Sequence, residues 1–277
     1  MMQYKITEGE NGGFAAALID GELFTITDTH PAYGEICSRL RSGDETVREL
    51  FDLATAVANK FEVLTDRVTV LGGRLYFDGD VVHNALADQV LRFLDEGRSD
   101  WQPLVRFFEK ASQNPVAHSR EQLFDWLTKF DFAITDDGNF IAYKGVKSDG
   151  KGGYVSITAG PGIVNGVPMN GHLGNNPGDI VTIARGRVVA DPTIGCAVGL
   201  HAGTWEYAST FGSGATLTVS INPRDVVSVP TDCNSQKIRT CRYTVLDVTE
   251  GPISEAWMDA PEDDDEYGDI HEMFGTL

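Results

Sequence analysis

Asp191-Pro192-Thr193-Ile194-Gly195-Cys196-Ala197-Val198-Gly199-Leu200-His201-Ala202-Gly203-Thr204-Trp205 sets Cys, His and Asp among turn residues and short apolar runs. That is the pattern of a site carried on a β framework. Glu206-Tyr207-Ala208 follows directly, and Ile221-Asn222-Pro223-Arg224-Asp225-Val226-Val227-Ser228-Val229-Pro230 comes later with a similar mixture. Other strand-like runs surround them: Ile180 to Ile183, Gly186 to Val189, Leu217 to Ile221, Val226 to Val229 and Cys241 to Val248. Strands this short and this closely spaced predict a small barrel or sandwich. Thr204 to Phe211 is the one helix expected among them.

The preceding half reads differently. Met2 to Thr7 and Phe14 to Thr27 alternate, with Asn11-Gly12-Gly13 and Asp20-Gly21 as turns; an Asp-Gly pair between β-rich runs signals a hairpin. Helices are expected over Ala32 to Leu40 and Asp44 to Asn59, the second capped by Asp44, with Val47, Leu50, Phe51, Ala54, Val57 and Ala58 at helical spacing. A hairpin over Val68 to Phe77 precedes helices over Asn84 to Asp95, Pro103 to Ala111 and Ser119 to Phe130. In the last, Ser119 is the expected cap, and Leu123, Phe124, Trp126, Leu127 and Phe130 form an apolar stripe. Asp136-Asp137-Gly138-Asn139 turns Phe132 to Thr135 back into Phe140 to Lys147. From Ser148 to Gly178, Gly and Asn dominate and apolar periodicity nearly vanishes, as in a long functional or mobile loop.

The expected fold is therefore α+β. Hairpins pack with helices over residues 1–147, a mostly-β half spans 148–250, and a flexible acidic tail covers 251–277. The formal net charge is −19, and nine acids but no Lys or Arg fall in the last 27 residues. A body that stays acidic without its tail excludes tight nonspecific binding to nucleic acid or anionic lipid. The acid run Pro261-Glu262-Asp263-Asp264-Asp265-Glu266 cannot bury a core. Trp257, Met258, Ile270, Met273 and Phe274 are out of place in a purely solvating tail and suit a docking segment. No apolar run is long enough to span a bilayer, and no signal peptide is visible, so a host-cytoplasmic protein is expected.

Cys37, Cys196, Cys233 and Cys241 show no Cys-x-x-Cys spacing and read as free thiols. Cys196 and His201 are the candidates for a nucleophile and its base. The competing reading makes Cys196 and Cys241 buried packing residues and His201 a hydrogen-bonded core or rim residue. Zinc would need Cys196, His201 and Cys241 to be joined by His172, Asp191 or Cys233, spacing that typical sites lack, so no metal or other cofactor is expected. Asp136-Asp137-Gly138 and Asn175-Asn176-Pro177-Gly178-Asp179 lack a calcium loop's spacing and read as turns. Arg185, Arg187, Arg224, Lys237, Arg239 and Arg242 concentrate positive charge late in the chain, as a face for an anion or as cations paired with the many acids. Tyr143, Lys144, Asp191, His201, Arg224, Asp225, Arg239 and Cys241 are the binding candidates, because loops held on a rigid sheet carry binding residues.

The spelling resembles the rIIB-type proteins of tailed bacteriophages. The resemblance rests on Cys196-x-x-Gly199-Leu200-His201, on Asn222-Pro223-Arg224-Asp225-Val226-Val227-Ser228-Val229-Pro230, and on Lys237, Arg239, Thr240, Cys241, Tyr243 and Val245. Upstream, Leu71-Gly72-Gly73-Arg74-Leu75-Tyr76-Phe77, Asn114-Pro115, Leu123 to Leu127 and Ile134 to Lys144 follow in the same order, so that residues 15 to 249 can be traced. Well-known members begin with a helix-turn-helix-like segment without a counterpart here, so no DNA-related role is carried over. The resemblance implies a non-enzymatic accessory protein that binds an rIIA-type partner bearing an ATPase-like fold. Its implied setting is lysis timing or evasion of prophage exclusion, with self-association and peripheral membrane attachment through the partner as further expectations. A distant similarity to ADP-ribosyltransferase-like folds lies in Tyr143-Lys144-Gly145 and Gly199-Leu200-His201-Ala202-Gly203 running into a helix; the late glutamate has no clear counterpart, and Glu250 is marginal. It implies a nucleotide-binding or enzymatic pocket as the alternative. A structural or assembly role through the acidic tail is the other.

Overall fold

A computed structural model describes residues 2–8, 12–28, 30, 32–52, 56, 68–71, 74–77, 80–81, 102–130 and 132–258. The chain divides into two compact units, Met1–Val105 and Arg106–Leu277. In the first, β1 (Gln3–Thr7), β2 (Phe14–Ile19) and β3 (Glu22–Thr27) form an antiparallel sheet in that order. Asp20 and Gly21 join β2 to β3 at φ 52° and 82°, a turn whose twist matches the hairpin. Alternation along β2 turns Ala15, Ala17 and Ile19 inward, where they share a core with Ile36, Cys37 and Leu40 of α1 (Tyr33–Ser42). The helix ends at Gly43, φ 75°, with the N–H groups of Gly43 and Asp44 closing on Leu40 O and Arg39 O.

Asp44 does cap the next element, accepting from the N–H and hydroxyl of Thr46. That element is a 3-10 stretch, Glu45–Phe51, where a long α-helix was expected. The β-branched pair Thr46 and Val47 opens it, and the Thr46 hydroxyl is committed to its cap, both of which disfavour an α-helical first turn. Residues 53–55 and 57–67 lie outside the described residues, as does the helix expected over Asn84 to Asp95. β4 (Val68–Leu71), β5 (Arg74–Phe77) and β6 (Asp80–Val81) make a second antiparallel sheet, which includes the expected hairpin.

The second unit is built on β8 (Phe140–Ser148), a strand that the expected boundary at residue 147 placed in the N-terminal half. Its sheet follows β11 (Val167–Gly171), β10 (Gly160–Val164), β12 (Ile180–Thr182), β17 (Arg242–Thr249), β14 (Ala215–Ile221), β8, β13 (Leu200–Gly203), β16 (Lys237–Thr240) and β15 (Val226–Ser228). Three short strands complete it: β7 (Ile134–Thr135) and β9 (Tyr154–Val155) pair with β8, and β18 (Trp257–Met258) pairs with β7. Among the described residues β11 and β15 do not pair with each other, so the sheet is open and sandwich-like, not a closed barrel. Residues 148–178, expected as one long loop, contain β9, β10 and β11. Asn165 and Gly166, φ 49° and 75°, make the β10–β11 turn, and β11 is exposed along most of its length, so no apolar periodicity announced it. Gly186 to Val189 is not a strand; Arg185–Arg187 is a 3-10 turn, closed by the Val188 N–H on Arg185 O.

α2 (Gln102–Ser112) and α3 (Ala117–Lys129) supply aromatic side chains to this unit. Phe107 meets Phe140 edge-on at 6.4 Å, and Trp126 packs on Phe140 at 6.1 Å. Between the helices Asn114, 1% exposed, donates to Pro223 O and Val226 O. Ser119 is not the cap of α3; it sits inside the helix and donates to Val227 O, while Val116 takes the N-cap position. Val229 N–H donates to Gln122. These polar side chains replace the ladder partner that β15 lacks on its outer edge. Trp257 and Met258 are strand residues, and Ala256 is fully buried, so the first part of the expected tail belongs to the fold. Residues 259–277 lie outside the described residues.

Candidate functional site

β8 and β13 are joined by a single pair, Tyr143 with Gly203. Only a glycine fits there, because a Cβ on Gly203 would lie 2.4 Å from Gln236 O. Past this pair the ladder is not continued; instead the Lys144 ammonium donates to the carbonyl of His201 at 2.8 Å. Beside this bond lies a cavity of about 290 Å³. Lys144, His201 and Tyr243 line it, with Tyr207 and Phe211 of α4 (Trp205–Phe211) and the exposed Arg187. α4 is set by Thr204, whose hydroxyl accepts from the Tyr207 N–H. The Tyr207 and Phe211 rings stack 5.4 Å apart, one helical turn from each other.

Burial dominates the electrostatics. Lys144 is 9% exposed, and desolvation of its ammonium pulls its pKa from 10.5 to about 8. It lies 5.3 Å from the centre of the Tyr243 ring, a favourable position for a cation. Among the described residues, no Asp or Glu lines the cavity. The Nε2 of His201 is buried without a hydrogen-bond partner among the described residues. Burial first, then the positive charges of Lys144, Lys237 and Arg239, hold its pKa down to about 3, so the ring is neutral at neutral pH. Tyr243, 1% exposed, donates its hydroxyl to the buried Asn175, and burial raises its pKa. Burial raises Tyr207 in the same way.

A second cationic centre lies on the other side of β13. Arg239 of β16 is fully buried and donates to Val189 O, Asp191 O, Ile194 O, Gly195 O and the Ser228 hydroxyl. Lys237, 3% exposed, adds bonds to Gly195 O at 2.9 Å and to Asp232 at 2.6 Å. Together they pin residues 189–195, the turn-rich segment that leads into β13. The Asp191 carboxylate accepts from the N–H and hydroxyl of Thr193, which bends the same segment and lowers its pKa.

A family profile described as Bacteriophage T4 protein rIIB matches residues 6–258. The chain belongs to this family. "Protein rIIB" of Enterobacteria phage T4 is 31% identical over 242 residues, covering 86% of this chain and 72% of the phage T4 protein. No solved structure matches. Within this rIIB-family chain the candidate residues fall into separate settings. Lys144 and His201 meet at the cavity. Tyr143 alternates to the opposite face of β8, where its hydroxyl accepts from Ile253 N–H at 2.6 Å and its ring meets Trp205 edge-on. Arg224 lies 3.7 Å from the buried Asp225, and Asp225 O accepts from Cys241 N–H and the Thr240 hydroxyl.

The two candidate cysteines part company. Cys241 is buried, and its thiol is pushed up to about 12, chiefly by desolvation. Cys196 is exposed, not the buried packing residue expected, because it sits in the surface turn between Pro192 and Gly199. Among the described residues no cluster of His, Cys, Asp and Glu could hold a metal ion. The late cations are mostly spent inward: Arg185 donates to Asn114, Arg224 O and Val226 O, as Arg239 and Lys237 do to residues 189–195. Sequence reasoning missed Tyr243, Tyr207 and Phe211 as pocket residues. For Tyr243 the signal was present, since Cys241, Tyr243 and Val245 alternate on one face of a strand and are all buried.

Proposed function

We propose that this rIIB-family chain acts by binding, without bond-making chemistry of its own. It serves as a phage accessory protein in lysis timing or in evading exclusion by a resident prophage, and works in the host cytoplasm with an rIIA-type partner. The observation that carries this reading is that Cys196, the candidate nucleophile, has no hydrogen bond from its candidate base among the described residues. Cys196 is exposed in a surface turn, whereas His201 has its Nε2 buried without a partner among the described residues and is held neutral first by burial and then by surrounding cations. A thiol is activated by a base within hydrogen-bond reach, itself oriented by a third group, and this ring has no such orienting bond among the described residues. The other candidate thiol, Cys241, is buried and raised to about 12, far from the thiolate form at neutral pH.

A tagged copy expressed during phage infection tests the reading. A larger ATPase-like phage protein should co-purify with it, and the Cys196→Ser variant should retain both the partner and the phage phenotype. Recovery of the chain without a partner, together with loss of the phenotype in Cys196→Ser, would contradict it.

A further inference from the structure

The Lys144 cavity is not accounted for by partner binding. An ammonium has three N–H donors, and among the described residues Lys144 spends one, on His201 O. Its position over the Tyr243 ring softens the desolvation but supplies no negative charge. Arg239 and Lys237, the buried cations across β13, are differently treated: Arg239 has five acceptors, and Lys237 has a carboxylate. A buried charge without a partner is costly, and such charges are usually neutralised by a counter-charge. Here the missing counter-charge faces an open volume of about 290 Å³, close to the lower limit of ligand pockets, roughly 300 Å³.

The walls define the rest of the ligand. Tyr207 and Phe211 present stacked rings, and Phe211 stays 52% exposed although it is a large apolar side chain. His201 contributes its carbonyl, which holds the Lys144 ammonium at the cavity. A carboxylate at Lys144 would be reached by two unused N–H groups, and a planar body would extend towards α4. We propose that this cavity is a binding site for a small organic anion that joins one carboxylate or phosphate head to a planar ring. Lys144 receives the head, and Tyr207 with Phe211 receives the ring. The acidic surface of the chain repels anions at long range, so recognition depends on contacts inside the cavity and not on steering.

Calorimetric titration of the full chain with benzoate, phenyl phosphate, phenol and inorganic phosphate tests the site. At least one of the ring-bearing anions should bind, with the stronger of the two distinguishing a carboxylate from a phosphate head. Phenol, which lacks the charge, and inorganic phosphate, which lacks the ring, should each bind at least tenfold more weakly. Lys144→Met should reduce the affinity at least tenfold. Ala197→Trp, on the exposed-loop side of the cavity, should block binding without touching Lys144. Failure of both anions to bind would overturn the proposal, as would equal binding of phenol or of inorganic phosphate, or unchanged binding in the two variants. Co-purification of the phage partner with Ala197→Trp separates this site from the partner reading, since filling the cavity should leave that interaction in place.

Discussion

Arg239 and Lys144 are both buried cations on neighbouring parts of one sheet, yet the chain treats them in opposite ways. Arg239 is met by acceptors at both terminal nitrogens: four carbonyls and a hydroxyl hold them and close residues 189–195 against β16, while its Nε has no partner among the described residues. Lys144 has one carbonyl and an aromatic ring. The first arrangement spends a charge on holding a loop. The second leaves a charge under-satisfied at the edge of a cavity, and under-satisfied groups held by a rigid frame are where proteins keep binding capacity. The comparison separates the residues that build the site from the one that the site leaves available.

The largest effect should come from the clamp. Arg239→Met strips five acceptors of their donor, and breaking a buried charge network costs about 3–5 kcal/mol. Denaturant unfolding should register a loss in that range, and a change within about 0.5 kcal/mol would mean the clamp contributes nothing. Lys144→Met should act in the opposite direction. The folded lysine loses its proton near pH 8 and the unfolded one near 10.5, so the cost of burying its charge is fully present below pH 8 and falls away as pH rises to 10.5. The variant should be more stable at pH 7 by about 1–3 kcal/mol, with the gain shrinking above pH 8; destabilisation at pH 7 would show that the ammonium is needed by the fold. The smallest effect belongs to Cys196→Ser. An exposed turn residue should change stability by less than about 0.5 kcal/mol, and the thiol should react readily with a thiol reagent while Cys241 stays protected. A loss of several times that size would restore Cys196 to a structural role.

The same contrast explains what was legible in the chain. Asp20-Gly21 announced its hairpin because strong alternation flanks it. Asn165-Gly166 makes an equivalent turn with both φ values positive, but β11 exposes Val167 and Met169 and carries Pro168 and Asn170, so no apolar pattern drew attention to it. Thr204 capping α4 and Asp44 accepting from Thr46 were readable from residue type and position. β16 was harder, because Lys237, Ile238, Arg239 and Thr240 are all buried and two of the four carry charge. Hydropathy cannot foresee that a loop will fold back to supply their acceptors. Lys144 and His201 could be singled out as polar residues beside apolar strands, but their meeting depends on the end of the β8–β13 ladder, a feature of tertiary pairing. Tyr207 and Phe211 read as ordinary helix residues until α4 is placed beside the cavity.

Titration of the Lys144 side chain by nuclear magnetic resonance, in the full chain with and without phenyl phosphate or benzoate, tests the central contrast most directly. Its ammonium should lose its proton near pH 8 in the free protein, and the midpoint should move upward when an anion fills the cavity, because a neighbouring negative charge favours the charged form. His201, Tyr207 and Tyr243 line the same cavity; His201 is already neutral there, and burial holds both tyrosines protonated beyond this range, so none of these three should titrate in that window. A midpoint near 10.5 in the free protein, or one that neither anion moves, would contradict the account.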